Sequence, residues 1–108
     1  MSGRILDVTF TFNASGEEYV EAVSPLAEEV TKFPGLLWKI WIINEVENEA
    51  GGLHLFEDEA ACNNYLASSL VETITSHPAL SDFIVKQYDI MDEQTAVTRG
   101  PVGALAQR

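Results

Sequence analysis

Chemistry in this 108-residue chain would fall to a few residues. These are two tryptophans, two histidines, a lysine inside an apolar run, and a few asparagine, tyrosine and phenylalanine side chains near them. His54 stands between Leu53 and Leu55, sharing a strand face with Gly52 and Phe56. A histidine titrates near neutral pH and can take a phenolic proton. It can equally be a satisfied core or interface residue. Lys39 interrupts Leu36–Ile43. If buried, its ammonium must be paired or hold its proton less tightly, and it would then stabilise a phenolate or a reduced-oxygen anion. At a strand edge its long stem would instead carry the charge to water or to a carboxylate. Trp38 and Trp41, three apart on a strand, point to opposite faces. One can line a ligand pocket while the other packs at a subunit interface, or both can be large core residues. Phe56 is a candidate apolar wall beside His54. Asn13 can hydrogen-bond a substrate carbonyl or hydroxyl, or serve as a turn residue. Tyr65, on a helix facing the sheet, can offer its hydroxyl to a ligand or keep it at the edge of the core.

Other chemistries find no support. One cysteine and two distant histidines do not make a zinc site, and Cys62 has no base near it in sequence. Gly51-Gly52 lacks both the phosphate-loop motif and a following helix, and there is no nucleophile elbow. No metal or cofactor is expected. The acidic groups Glu45/Glu47/Glu49 and Glu57/Asp58/Glu59 read as solvated turns. Six Lys+Arg against 17 Asp+Glu give a net charge of −11, unfit for nucleic acid or an anionic membrane surface. The longest apolar run has eight residues, whereas a bilayer span needs about 20. The N-terminus lacks the apolar stretch of a signal peptide, so a soluble cytoplasmic domain is expected.

The elements that position these residues follow from periodicity. Residues 5–12 alternate, with Leu6, Val8, Phe10 and Phe12 on one face of a strand. Ser15 and Glu18 form a capping box that opens a helix with Tyr19, Ala22, Val23, Leu26 and Val30 inward. Pro25 predicts a kink near residues 20–24, and Phe33-Pro34-Gly35 ends the helix. Leu36–Asn44 and Glu49–Phe56 read as a hairpin, with Gly51-Gly52 marking a bulge or a close backbone approach. Asp58 caps a second helix through about Ser76, with Cys62, Tyr65, Leu66, Ser69, Leu70 and Ile74 inward. Phe83–Met91 is the fourth strand. Residues 1–93 form one α+β domain of ferredoxin-like βαββαβ order: a four-stranded antiparallel sheet with two helices on one face. Residues 94–108 are expected as a tail, flexible or packed on a partner. Because Leu36–Ile43 is apolar on both faces, the open sheet face calls for cover, which a homodimer packed sheet on sheet would supply.

Several runs carry a resemblance: Phe12-Asn13, Pro34-Gly35, Leu37-Trp38-Lys39-Ile40-Trp41 and Glu49-Ala50-Gly51-Gly52, with Leu55-Phe56, Asp58-Glu59, Tyr65-Leu66, Lys86 and Asp89. From about Leu6 to Glu93 the chain resembles the YdhR-type mono-oxygenases. His54 departs from that pattern, which has Tyr there. The resemblance implies a dimeric α+β barrel, a superfamily that includes cofactor-independent mono-oxygenases acting on phenolic polyketides, haem-degrading proteins and small isomerases. It implies a small aromatic or apolar ligand. In haem-degrading relatives a helical histidine near His77 holds iron, but this sequence has no other haem feature.

Two functions follow as expectations. The first is a mono-oxygenase without flavin or metal, which deprotonates an electron-rich phenol or anthrone so that its anion reduces O2. His54 and Tyr65 would be catalytic, and Asn13, Trp38, Lys39, Trp41 and Phe56 would bind substrate. The second is a non-catalytic small-ligand-binding dimer, with an isomerase or cyclase as a further variant.

Overall fold

The computed structural model describes residues 3–102. Strand β1 (Arg4–Phe12) leads into helix α1 (Gly16–Thr31), the hairpin β2 (Leu36–Asn44) and β3 (Glu49–Phe56), helices α2 (Glu59–Leu66) and α3 (Ser69–Thr75), strand β4 (Leu80–Asp89) and helix α4 (Asp92–Val97). The sheet order is β2-β3-β1-β4, with all three pairings antiparallel. This is the expected ferredoxin-like α+β fold.

The local chemistry explains most boundaries. Ser15 Oγ accepts from Glu18 N and Glu18 Oε1 accepts from Ser15 N, both at 3.0 Å, so the capping box is complete. Pro25 lies inside α1 without ending it. The Glu21 carbonyl thereby loses its helical donor, and Ser24 Oγ donates to Val20 O at 2.6 Å one position earlier. Gly35, at φ +86°, turns the chain into β2 where a side chain would collide with Ala61 Cβ. Gly51 and Gly52 produce no register shift, so they mark close approach, not a bulge.

Two expectations need correction. The second helix is two: Ser68 ends α2 by donating to Tyr65 O at 2.6 Å and caps α3 by accepting from Val71 N at 3.3 Å. Strand β4 begins at Leu80, not Phe83, because a bulge hides its start. Thr9 pairs with Ile84 and Thr11 with Ser81, leaving Asp82 and Phe83 opposite Phe10, with Asp82 in the left-handed region at φ 54°.

Leu6, Phe10 and Phe12 of β1 face the helices and are buried. One core group joins Leu6, Phe56, Ala61, Cys62 and Tyr65; another joins Phe10, Phe12, Tyr19 and Ala50. On the opposite sheet face, Leu55 is buried while Ile40 and Ile84 are 48% and 53% exposed. The stretch after β4 reaches this face, where Trp38 Nε1 donates to Pro101 O at 2.7 Å. Of the expected tail, residues 94–97 belong to α4, and 103–108 lie outside the described residues. Among the described residues, no helix is long and apolar enough to cross a membrane.

Candidate functional site

Between the inner sheet face and the helices lies a cavity of about 170 Å³. Val8, Phe10, Phe12, Phe83 and Val85 come from the sheet, Tyr19, Val23 and Leu26 from α1, and Tyr65, Leu66, Val71 and Ile74 from α2 and α3. Its walls are therefore apolar, and the few polar groups among them matter most.

The sheet register collects those groups. On the helix-facing side, Leu6, His54 and Lys39 form one cross-strand row, and Val8, Gly52 and Trp41 the next. A methyl built on Gly52 would lie 2.6 Å from Lys39 Cε and 3.2 Å from His54 Cε1. Gly52 thus leaves a pit in the cavity floor, occupied by the lysine stem and the edge of the imidazole.

His54 is 1% exposed. Its Nδ1 lies 3.1 Å from Leu6 O, an atom that only accepts, so Nδ1 carries the hydrogen and Nε2 the lone pair. Nε2 is buried and has no hydrogen-bond partner among the described residues. Burial, then the Lys39 charge, push the imidazole down to about 4, although the Leu6 hydrogen bond acts in the opposite direction. At neutral pH His54 is an uncharged acceptor with nothing to accept. Such an atom costs about 1–3 kcal/mol unless a ligand supplies the missing donor.

Lys39 is partly buried, and its Nζ lies 3.7 Å from the centroid of the Trp41 ring. It has no carboxylate partner among the described residues, despite the chain's 17 acidic residues. Burial pushes its ammonium down to about 8. The ring face offsets part of that cost through the cation–π attraction. Tyr19 and Tyr65 are both pushed up to about 12 by burial. They are therefore neutral donors at working pH, not bases. Tyr65 packs its ring 5.2 Å from His54.

The structure brings His54, Tyr65, Lys39 and Trp41 together around this cavity. Three other candidates lie outside it. Trp38 points to the opposite sheet face, where it meets Pro101. Asn13 is exposed beyond β1, and its backbone N–H donates to Ala79 O at 2.8 Å. Phe56 is fully buried one pairing further along β3, within the core group around Tyr65. Tyr19, Phe83 and His77 line the cavity and were not anticipated as site residues. Tyr19 had a signal in its inward helical spacing. Phe83 had none, because the bulge that turns it toward Phe10, 5.2 Å between rings, leaves no trace in the alternation. His77 Nδ1 accepts from Ala79 N–H at 3.1 Å. No group of three or more metal-ligating side chains occurs among the described residues.

The chain is thus an α+β protein of the ferredoxin-like class, with an apolar cavity under its helices. Within that class, residues 5–101 match the family described as "Putative mono-oxygenase ydhR", and the chain belongs to that family. Several solved structures are similar in fold. The cofactor-independent oxygenase SnoaB from Streptomyces nogalater is 16% identical, with TM-score 0.68, covering 83% of this chain and 94% of that one. A protein of unknown function from Nitrosomonas europaea is 14% identical, with TM-score 0.72, covering 84% and 91%. The haem-degrader MhuD from Mycobacterium tuberculosis is 14% identical, with TM-score 0.63, covering 81% and 95%. A search of curated proteins finds no match.

Proposed function

We propose that this protein is a cofactor-independent mono-oxygenase acting on a small, electron-rich hydroxyaromatic. The observation that carries the reading is the Nε2 of His54, without a hydrogen-bond partner among the described residues, in the wall of an apolar cavity beside Lys39. The substrate rings lie against Trp41, Phe10 and Phe83. The hydroxyl enters at the pit over Gly52, displaces the Lys39 stem and donates to Nε2. As its proton passes to Nε2, the Lys39 ammonium stabilises the aryloxide, and Tyr65 can donate to the same oxygen. A paired anion of this kind gives up an electron to O2 far more readily than the neutral phenol. For an anthrone-like methylene the balance is CH2 + O2 to C=O + H2O, with the substrate supplying all four electrons. Family membership and the fold shared with SnoaB support this reading.

The enclosure of Nε2, which must be uncovered before it can act, favours a second reading: a non-catalytic binder of the same class of ligand. Oxygen uptake by metal-free, flavin-free protein with anthrones, hydroquinones and polyphenols separates the two. Uptake above the buffer rate, lost in His54→Ala, supports the oxygenase. Saturable Trp fluorescence quenching without uptake rejects it in favour of the binder.

The working unit is a homodimer joined through the outer sheet face, where Ile40 and Ile84 are half-exposed. Light scattering should give a dimer for the native chain and a monomer for Ile40→Glu/Ile84→Glu. A monomeric native protein would refute this assembly.

A further inference from the structure

An amine in a dry, apolar cavity can do more than carry charge. Among the described residues Lys39 Nζ has no carboxylate to hold its proton, and its close partner is the Trp41 ring face at 3.7 Å. Across the hairpin its register partner is His54, whose fixed tautomer keeps a bare lone pair on Nε2. Gly52 brings the two side chains to one spot, because a single added carbon would touch both. These are the requirements of a nucleophilic lysine: an uncompensated amine, a low-dielectric site and a nearby proton acceptor.

We infer that Lys39 is a carbonyl-capturing residue, which forms a Schiff base with an apolar aromatic aldehyde or ketone entering the cavity. The neutral amine adds to the carbonyl carbon. Its two hydrogens leave with the carbonyl oxygen as water, one relayed by His54 Nε2, and a C=N bond replaces C=O. Nothing is oxidised or reduced. The apolar walls select aryl carbonyls over polar ones, and Trp41 stacks on the ring of the captured compound. This activity goes beyond the oxygenase reading and needs no O2.

The chain provides its own controls, since Lys32 and Lys86 are the other two lysines and both are exposed. At pH 7 a lysine at about 8 holds about 300-fold more free amine than one at 10.5. A weaker base is also a weaker nucleophile, so the net preference expected is about tenfold. The experiment treats the full chain with 2-naphthaldehyde and sodium cyanoborohydride at pH 7 under nitrogen, with peptide mass mapping. Lys39 should be alkylated at least about tenfold faster than Lys32 and Lys86, and its lead should shrink with acetaldehyde, which has no ring for the apolar walls to hold. Lys39→Arg keeps the charge but cannot form the imine, so the label at position 39 should vanish and only that on Lys32 and Lys86 should remain. Equal labelling of all three lysines, or a spared Lys39, overturns the inference. A failure here leaves the oxygen-uptake result untouched, and the reverse holds as well.

Discussion

Two adjacent glycines should respond to the same substitution in opposite ways. A Cβ on Gly51 would lie 1.9 Å from Val8 O and 2.8 Å from Val8 C, both backbone atoms of the neighbouring strand. Neither can move without opening the β1–β3 ladder at its centre, where Gly51 pairs with Thr9. Overpacking costs about 1–3 kcal/mol when side chains can yield. Because backbone must yield here, Gly51→Ala should cost about 3 kcal/mol or more. At about 4–8 °C per kcal/mol for a domain of this size, Tm should fall by at least about 12 °C. The nearest atom to a Cβ on Gly52 is instead Lys39 Cε at 2.6 Å, the far part of a flexible side chain. Expelling that stem costs about 1 kcal/mol, and the loss of glycine's freedom in the unfolded chain returns about 0.4–1 kcal/mol. Gly52→Ala should therefore leave Tm within about 5 °C. It fills the pit, however, so binding of hydroxyaromatics measured by Trp quenching should weaken about tenfold, or about 1.4 kcal/mol. Thermal unfolding and ligand titration of both variants decide the matter. If Gly51→Ala is tolerated, or Gly52→Ala unfolds as readily as Gly51→Ala, the assignment of one glycine to the ladder and the other to the site is wrong.

Three further outcomes follow. His54 is held near 4 in the fold against 6.5 in the unfolded chain, so the unfolded state binds more protons between these values. Stability tied to His54 is complete above about 6.5 and declines by up to about 3 kcal/mol as pH falls through 4; the difference between denaturation curves of native protein and His54→Gln should follow that window. Lys39 is held near 8 against 10.5, so its burial weighs against the fold below pH 8 and is relieved as pH rises toward 10.5. Lys39→Met should stabilise at pH 7 by about 1 kcal/mol, net of the lost cation–π contact, with the advantage fading above pH 8, while ligand binding drops. Trp38→Phe removes the bond to Pro101 O, and hydrogen exchange should quicken over residues 92–102 with little change in the cavity.

The sequence made the β2–β3 hairpin legible to the residue, because turn residues bound two long apolar runs. The Ser15–Glu18 box similarly marked the start of α1. The break at Ser68 was obscured because Leu66, Leu70 and Ile74 keep a helical spacing across it. The start of β4 was hidden because a bulge removes two residues from the alternation. In the site, the opposite orientations of Trp38 and Trp41 followed from strand geometry, but which one faced the helices depended on register with β3. The pairing of Lys39 with His54 over Gly52 is a tertiary fact: residues 13 and 15 positions apart meet only once the hairpin closes. Asn13 and Phe56 are near neighbours of the site elements in sequence, yet one ends at the surface and the other in the core.

His54 Nε2 stands as a vacant acceptor among the described residues, which a ligand hydroxyl would fill. ¹⁵N NMR of imidazole-labelled protein tests it directly, with His77→Gln leaving a single histidine to observe. Without ligand, His54 should show Nδ1 protonated and Nε2 bare and free of hydrogen bonding at pH 7. On titration with a hydroquinone or an anthrone, the Nε2 resonance should move saturably toward the hydrogen-bonded or protonated position, at the concentrations that quench Trp41. An Nε2 signal that stays unchanged while the ligand saturates the cavity would contradict the account.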